Sequence, residues 1–133
     1  MMKLAVYVNY PGSCEEAFNF YRDHLGATLE GEIRRHGEMP NPNIPGDWGD
    51  KVLHARMRLG STILMGADVP SAQAMRSSYL TIFADAEAEA ESIYSALAEG
   101  GEVFMELQMT PFANRFAMLR DRFGANWMLL HQP

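Results

Sequence analysis

The sequence predicts an α+β protein built from two βαβββ modules in tandem. Three observations support this fold class: short runs of β-forming residues, an amphipathic helix after one such run in each half, and closely similar text where each half ends. At 133 residues, the chain has the length of one typical domain. We therefore predict one domain over residues 1–133, with a first module over about 1–68 and a second over about 77–133.

The first module begins with a strand followed by a helix. LAVYVNY, residues 4–10, is rich in β-forming residues, and a Pro-Gly pair ends it. Ser13 and Glu16 have the spacing of a capping box, which predicts that a helix starts there. Apolar residues then recur on one face of this helix, and Gly26 supplies its C-terminal stop. A return strand around ATLEGEI and the strand VLHARMRL follow.

The second module repeats this plan with YLTIFA, the helix AEAEAESIYSALAE and the strand EVFMEL. Both modules end in a predicted hairpin turn at glycine and an apolar strand, RLGSTILM in the first and RFGANWML in the second. Gly26 corresponds to Gly100 at an offset of 74, and Gly60 to Gly124 at an offset of 64. The ten extra residues of the first half belong to the Pro- and Gly-rich segment 36–50, which we predict to be a loop.

Composition argues against several classes of function. The formal net charge is −6 and no basic run exceeds a pair, so the chain lacks the positive patch of a nucleic-acid-binding protein. No apolar run approaches the length of a membrane span, and the N-terminal apolar stretch is too short for a signal peptide. Cys14 is the only cysteine, which excludes an internal disulfide. We expect a cytoplasmic protein with no nucleic-acid or membrane partner.

Four stretches, in order along the chain, resemble one known family. CEEAFNFYRDHLGA, VLHARMRLGSTILMGAD, LAEGGEVFMEL and DRFGANWML are similar to the PhnB-like branch of the glyoxalase/bleomycin-resistance/dioxygenase (vicinal oxygen chelate) superfamily. Two residues depart from that branch, Arg122 in place of proline and Phe112 in place of tryptophan. The resemblance implies mixed sheets that curve into a cup with the helices on the convex side. It also implies a small-molecule ligand in the cup and a homodimer.

Many members of this family hold a divalent metal through residues on the first and last strands of each half. The matching positions here fall near Val6, Leu64, Met128 and residues 78–80. Such ions bind imidazole nitrogen and carboxylate oxygen, which aliphatic and thioether side chains do not supply. A shift by one residue does not help, and no two histidines have a metal-binding spacing. We expect no metal and no cofactor.

His54 is the candidate catalytic residue. VLHARMRL alternates apolar and polar residues, so His54 and Arg56 share one strand face, which the resemblance turns into the cup. Histidine is the side chain that titrates nearest neutral pH, which suits a general acid or base. Arg56 could hold an anionic group of a ligand. The alternative is that both lie at an open sheet edge or in a dimer contact.

Further candidate ligand-binding residues would line the cup or lie in loops near it: Val6, Val8, Trp48, Leu64, Phe112, Arg115 and Met128. Trp48, in the long loop, either closes over a ligand or anchors that loop. Phe112 and Arg115 fall in a predicted loop, and a surface ion pair is the alternative for Arg115. Trp127 is predicted to face a helix, and Asp68 to cap a helix or stabilise a turn.

Two functions follow from these residues. The first is a small-molecule-binding protein that acts as an enzyme on a small hydrophobic or aromatic ligand without its own metal. The second is a non-catalytic protein that sequesters a ligand or drug. A metal-dependent glyoxalase or dioxygenase is disfavoured by the apolar ligand positions. A methyltransferase is disfavoured because no glycine-rich nucleotide-binding turn is present.

Overall fold

A computed structural model describes all 133 residues of the chain. The chain divides into two compact units, Met1–Gln73 and Ala74–Pro133, and each is described by itself. The division falls between the two predicted modules. Their grouping into one domain stays a prediction.

The first unit has the predicted βαβββ order, with the return strand split into two short pieces. Its elements are β1 (Val6–Tyr10), α1 (Cys14–Leu25), β2 (Thr28–Leu29), β3 (Arg34–Arg35), β4 (Val52–Leu59) and β5 (Thr62–Asp68). The strand order is β1-β5-β4-β2, with β3 also paired to β4. β1 runs parallel to β5, and the other pairs are antiparallel. Between β3 and β4 lies the predicted loop, which contains one 3₁₀ turn, His36–Glu38.

The second unit repeats this topology and confirms the α+β fold class. Its elements are β6 (Leu80–Phe83), α2 (Glu87–Ala98), β7 (Glu102–Thr110), β8 (Ala113–Arg120) and β9 (Asn126–His131). The strand order is β6-β9-β8-β7, again with the first strand parallel to the last. Both helices have 12 residues, and neither is long and apolar enough to cross a membrane.

Helix α1 packs on one face of the first sheet through its buried aromatic residues. The rings of Phe18 and Tyr10 meet edge to face at 6.2 Å. A Cβ atom added at Gly66 would lie 3.0 Å from the ring of Phe18, so only glycine lets helix and strand come this close. Full burial of such an aromatic side chain contributes roughly 1.5–3 kcal/mol, so this face is the core of the unit.

The N-terminus of α1 is capped by a residue far along the chain. Ser13 is the N-cap residue but makes no side-chain hydrogen bond, so the predicted capping box is wrong. Instead, Asp68 Oδ1 accepts hydrogen bonds from the backbone N–H groups of Gly12 (3.1 Å) and Cys14 (2.8 Å). Asp68 Oδ2 accepts a third bond from Val52 N at 2.9 Å. The prediction that Asp68 caps a helix is confirmed.

The second unit holds its last hairpin with a similar buried carboxylate. Asp121 Oδ1 accepts from the backbone N–H groups of Phe123 and Ala125 at 2.9 and 3.0 Å. Its Oδ2 accepts from Trp127 Nε1 at 2.9 Å. Trp127 is 1% exposed and shares its strand face with Leu129, which packs against α2. The helix-facing placement of Trp127 is confirmed.

Replacing Asp68 with asparagine should lower the free energy of unfolding by about 3 kcal/mol. The amide NH₂ cannot accept a hydrogen bond, so at least one buried backbone N–H of the three would lose its acceptor. Urea unfolding followed by circular dichroism measures the change. The matched control is Asp47→Asn, an exposed position in the same unit, and equal stabilities of the two variants would contradict the role of Asp68.

Candidate functional site

His54 lies on the face of the first sheet opposite α1. Its neighbour Ala55 is paired with Gly66, the residue against which Phe18 of α1 packs. Successive residues of a strand point to opposite faces, so His54 and Arg56 point away from the helix. The predicted assignment of the β4 side chains to two faces is therefore correct, and Ala55 and Met57 are buried on the face that α1 covers.

Tyr7 is the partner of His54 on this face. The Tyr7 hydroxyl lies 3.2 Å from His54 Nδ1, within hydrogen-bond distance, and the two rings are 5.7 Å apart. Partial burial raises the pKa of the Tyr7 phenol above its ordinary value, with a smaller contribution from the charged form of Cys14. The phenol is therefore neutral at physiological pH. It can donate a hydrogen to Nδ1 or accept one from it.

Val6, Val8 and Leu64 lie on the other face, and their expected position beside His54 is wrong. Val8 is paired with Gly66, and Val6 with Leu64, so all three point to the side that α1 covers. Val8 and Leu64 are buried there, at 7% and 3% exposure. Among the residues that do share the face of His54 are Tyr7, its strand partner Met65, and Arg34, which is paired with His54 itself.

For Leu64, the physical cause of this error is the difference between the two final hairpins. In the first unit, a two-residue turn joins β4 to β5 and the closing pair is Leu59 with Thr62, on the helix side. In the second, five residues separate β8 from β9 and the closing pair is Arg120 with Asn126, on the opposite side. Aligning the halves at their turn glycines therefore slips the register by one residue, which exchanges the faces.

Arg56 and Arg58 extend the polar face along β4. Arg56 Nε donates to Glu30 Oε1 at 3.2 Å, and Arg58 Nε donates to Glu30 Oε2 at 3.0 Å. Both arginine side chains are about half exposed, at 48% and 49%. We call the face formed by Tyr7, His54, Arg56, Arg58 and Glu30 the polar face of the first unit.

Trp48 anchors the long loop on its own unit. Its indole packs over Gly12, 3.6 Å from where a Cβ atom would stand, and its ring centre is 6.3 Å from that of His36. His36 Nε2 in turn donates to the Asp68 carbonyl oxygen at 2.7 Å. Of the two interpretations of Trp48, these contacts favour the anchor. A cavity of about 250 Å³ lies under this loop, away from His54.

A larger concavity of about 440 Å³ opens beside the N-terminus of α1, and it too excludes His54. Two of its four carboxylates are engaged: Asp68 by backbone N–H groups, and Glu15 by Arg35, which donates from Nη1 and Nη2 at 2.8 and 2.9 Å. Nearby Cys14 is fully buried, and burial raises the pKa of its thiol far above the ordinary value. This concavity therefore offers no activated nucleophile.

Met128 lies on the face of the second sheet opposite α2, where the sequence placed it. Apolar side chains cluster there: Ala113, Phe116, Met118, Met128 and Leu130. Phe112, 55% exposed, stacks edge to face on Phe116 at 5.0 Å, and Phe83 shares the face through its pairing with Leu130. We call this the apolar face of the second unit. The binding roles of Met128 and Phe112 stay predictions.

Arg115 is not in a loop, contrary to prediction. It belongs to β8, because the hairpin turn is tighter than expected and the strand resumes at Ala113. Its guanidinium forms ion pairs with Glu87 and Glu91 of α2 at 3.3 and 3.5 Å. The surface ion pair, left as the alternative for Arg115, is what the structure contains.

The residues of the fold do not fit the divalent metal that many related proteins use. No three His, Cys, Asp or Glu side chains are grouped so that they could hold an ion. When the expected ligand positions Val6 and Leu64 are shifted by one residue to reach the polar face, they fall on Tyr7 and Met65. Neither a neutral phenol nor a thioether is a good ligand for such ions.

Comparison with known proteins places this geometry in a family. The model of the Glyoxalase/Bleomycin resistance protein/Dioxygenase superfamily matches residues 3–129. The chain is 31% identical over 139 residues to Protein YjdN of Escherichia coli (strain K12), with 96% of this chain and 94% of YjdN covered.

Two solved structures are similar over nearly their full length. Protein PA1353 from Pseudomonas aeruginosa is 39% identical, with a TM-score of 0.86 and coverage of 99% of this chain and 98% of that one. A PhnB protein from Bacillus cereus, described as a putative 3-demethylubiquinone-9 3-methyltransferase, is 25% identical, with a TM-score of 0.82 and coverage of 98% and 99%. The chain therefore belongs to the glyoxalase/bleomycin resistance/dioxygenase superfamily and resembles its PhnB-like members.

Proposed function

We propose that the protein binds a small hydrophobic or aromatic molecule on the polar face of the first unit and moves a proton on it with the Tyr7–His54 pair. The observation that carries this proposal is the 3.2 Å contact between the Tyr7 hydroxyl and His54 Nδ1. A second group that orients an imidazole is the arrangement that general acid–base catalysis requires.

The pair can act as a base in one defined state. When Nδ1 carries the hydrogen and donates it to the Tyr7 oxygen, Nε2 has a free lone pair and can accept a proton from a bound ligand. The raised pKa of Tyr7 keeps its oxygen protonated, so the phenol orients His54 without adding a negative charge. Since the residues do not fit a metal, no step of this proposal passes through one.

Deuterium exchange into small aromatic ketones and 2-oxo acids in D₂O tests this chemistry. The base removes a proton from the carbon next to the carbonyl, and a deuteron from solvent replaces it, so the proton NMR signal of that C–H decays. We expect His54→Ala to slow the protein-dependent decay by about 100-fold or more. Tyr7→Phe should slow it less, because the imidazole remains but loses its orienting partner.

The control is His24→Ala, which removes an exposed histidine of α1. Both histidine variants should melt within about 2 °C of the parent protein, since neither side chain is part of the core. Equal rates for His54→Ala and the parent protein would contradict the proposal, and so would equal losses in the two histidine variants.

The apolar face of the second unit supports a second candidate function, sequestration of a ligand without chemistry. Aromatic and methionine side chains that adapt their shape, such as Phe112, Phe116 and Met128, are typical of surfaces that bind varied apolar ligands. The net charge of −6 would favour a cationic ligand over an anionic one.

Fluorescence titration with the aromatic cation acridine orange tests sequestration. We expect saturable binding that Met128→Ala weakens, because the truncated side chain no longer contacts the dye. The control Val103→Ala, an exposed position of β7 paired with Leu119 on the helix side, should leave binding unchanged. Mass spectrometry should recover the dye intact. Weakening by both variants alike, or a chemically altered dye, would contradict sequestration.

We also propose that the protein works as a homodimer in the cytoplasm. Strand β7 lies at an edge of its sheet and exposes Phe104, Met105 and Met109, and an exposed apolar edge favours pairing with another chain. Sedimentation equilibrium should give twice the 14.9 kDa mass of the chain. A monomer at every concentration measured would contradict the dimer.

A further inference from the structure

We propose that Arg56 and Arg58, held together by Glu30, form a clamp for a carboxylate or phosphate group, so that the ligand of the polar face is an anion. This inference rests on the proposed function, because it names the chemical class of the ligand that the Tyr7–His54 pair would act on. Two observations support the clamp: the hydrogen bonds that hold the two guanidiniums on Glu30, and the terminal N–H groups of both arginines, which these bonds leave free to bind a ligand.

Glu30 binds both arginines through the same atom of each guanidinium. Its two carboxylate oxygens accept from Arg56 Nε and Arg58 Nε, so the guanidiniums are adjacent and held on one carboxylate. A guanidinium has five N–H donors, of which Nε supplies one. The four N–H groups on the terminal nitrogens of each arginine make no hydrogen bond within the chain.

This pattern distinguishes the two residues from the other arginines of the first unit. Each of the others uses at least one terminal nitrogen in a hydrogen bond or ion pair with a side chain: Arg22 with Asn19, Arg34 with Glu32 and Glu38, and Arg35 with Glu15. Terminal guanidinium nitrogens bind the two oxygens of a carboxylate or phosphate side by side. Arg56 and Arg58 alone keep both of theirs available.

The charges of the cluster also favour an anion. Hydrogen bonds from Arg56 and Arg58 hold the pKa of Glu30 below its ordinary value, so Glu30 stays ionised at neutral pH. Two guanidiniums and one carboxylate leave one net positive charge, in a chain whose net charge is −6. A bound anion would neutralise this excess, whereas a bound cation would add to it.

The clamp stands beside the catalytic candidate. His54, Arg56 and Arg58 point to the same face of β4, and residues two apart on a strand are separated by about 7 Å. A carboxylate bound between the arginines would therefore place the rest of a small molecule within reach of His54 Nε2. The ligand predicted by this geometry is a small aromatic or aliphatic acid, or a phosphorylated compound of similar size.

Titration of the arginine side chains tests the clamp directly. The Nε–Hε signals of uniformly ¹⁵N-labelled protein are recorded by NMR while benzoate, inorganic phosphate or chloride is added at constant ionic strength. We expect the Arg56 and Arg58 signals to shift and saturate with benzoate, with phosphate or with both, and not with chloride. Saturation by only one of the two identifies the anionic group.

Variants show whether the binding belongs to the clamp. Arg56→Gln and Arg58→Gln should each weaken the saturating anion about tenfold, as expected for the loss of one charge-assisted bond pair. Arg22→Gln, an exposed arginine on α1, is the matched control and should leave the affinity unchanged. No saturation with either anion, or an equal loss in Arg22→Gln, would overturn the clamp and leave the cluster as surface ion pairs only.

The clamp and the proposed function fail in different ways. His54→Ala should keep the anion affinity of the parent protein, because the imidazole is not part of the clamp. If this variant weakens the anion as much as Arg58→Gln does, the clamp as defined here is wrong. If deuterium exchange depends on His54 while neither anion binds, the clamp is overturned and the acid–base function stands.

Discussion

The architecture of the first unit depends on one buried carboxylate. Asp68 is 1% exposed, and its two oxygens accept backbone hydrogen bonds from the β1–α1 turn, from the start of α1 and from the start of β4. Its own carbonyl accepts from His36, which ties down the long loop as well. Moving a carboxylate from water into the interior is costly unless such bonds replace its hydration. Here the same bonds also tie the β1–α1 turn, the start of α1 and the start of β4 to the end of β5.

The position of Asp68 at the end of β5 determines which side chains meet on each face. Because Asp68 and Gly66 both point toward α1, the alternation of β5 places Met65 on the other face, and pairing with β1 places Tyr7 beside it. His54 reaches the same face from β4. Strand alternation and pairing thus bring Tyr7 and His54 together on the face opposite the one that holds the cap of α1.

The sequence could predict the elements, the repeat and the face of His54, because these follow from local periodicity and from glycine stops such as Gly26. It could not predict Tyr7, because the register of β1 depends on its parallel pairing with β5, whose residues are distant in the sequence. The predicted capping box of α1 is wrong because the residue that caps this helix is distant in the sequence. Ser13 and Glu16 had the right spacing, but a carboxylate 54 residues beyond Cys14 binds the N–H groups instead.

The two units share one fold and differ in the chemistry of the face that the helix leaves uncovered. In the first, that face carries a phenol, an imidazole and two arginines held by one carboxylate. In the second, it carries phenylalanine and methionine, and its one arginine, Arg120, is held by Asn126 and stacks over Phe104. A shared backbone therefore does not imply shared chemistry, since register and pairing leave the outward residues free to differ. The face of the first unit is suited to hold an anionic group and to accept a proton from the ligand that carries it, and the face of the second unit is suited to bind a hydrocarbon or aromatic surface.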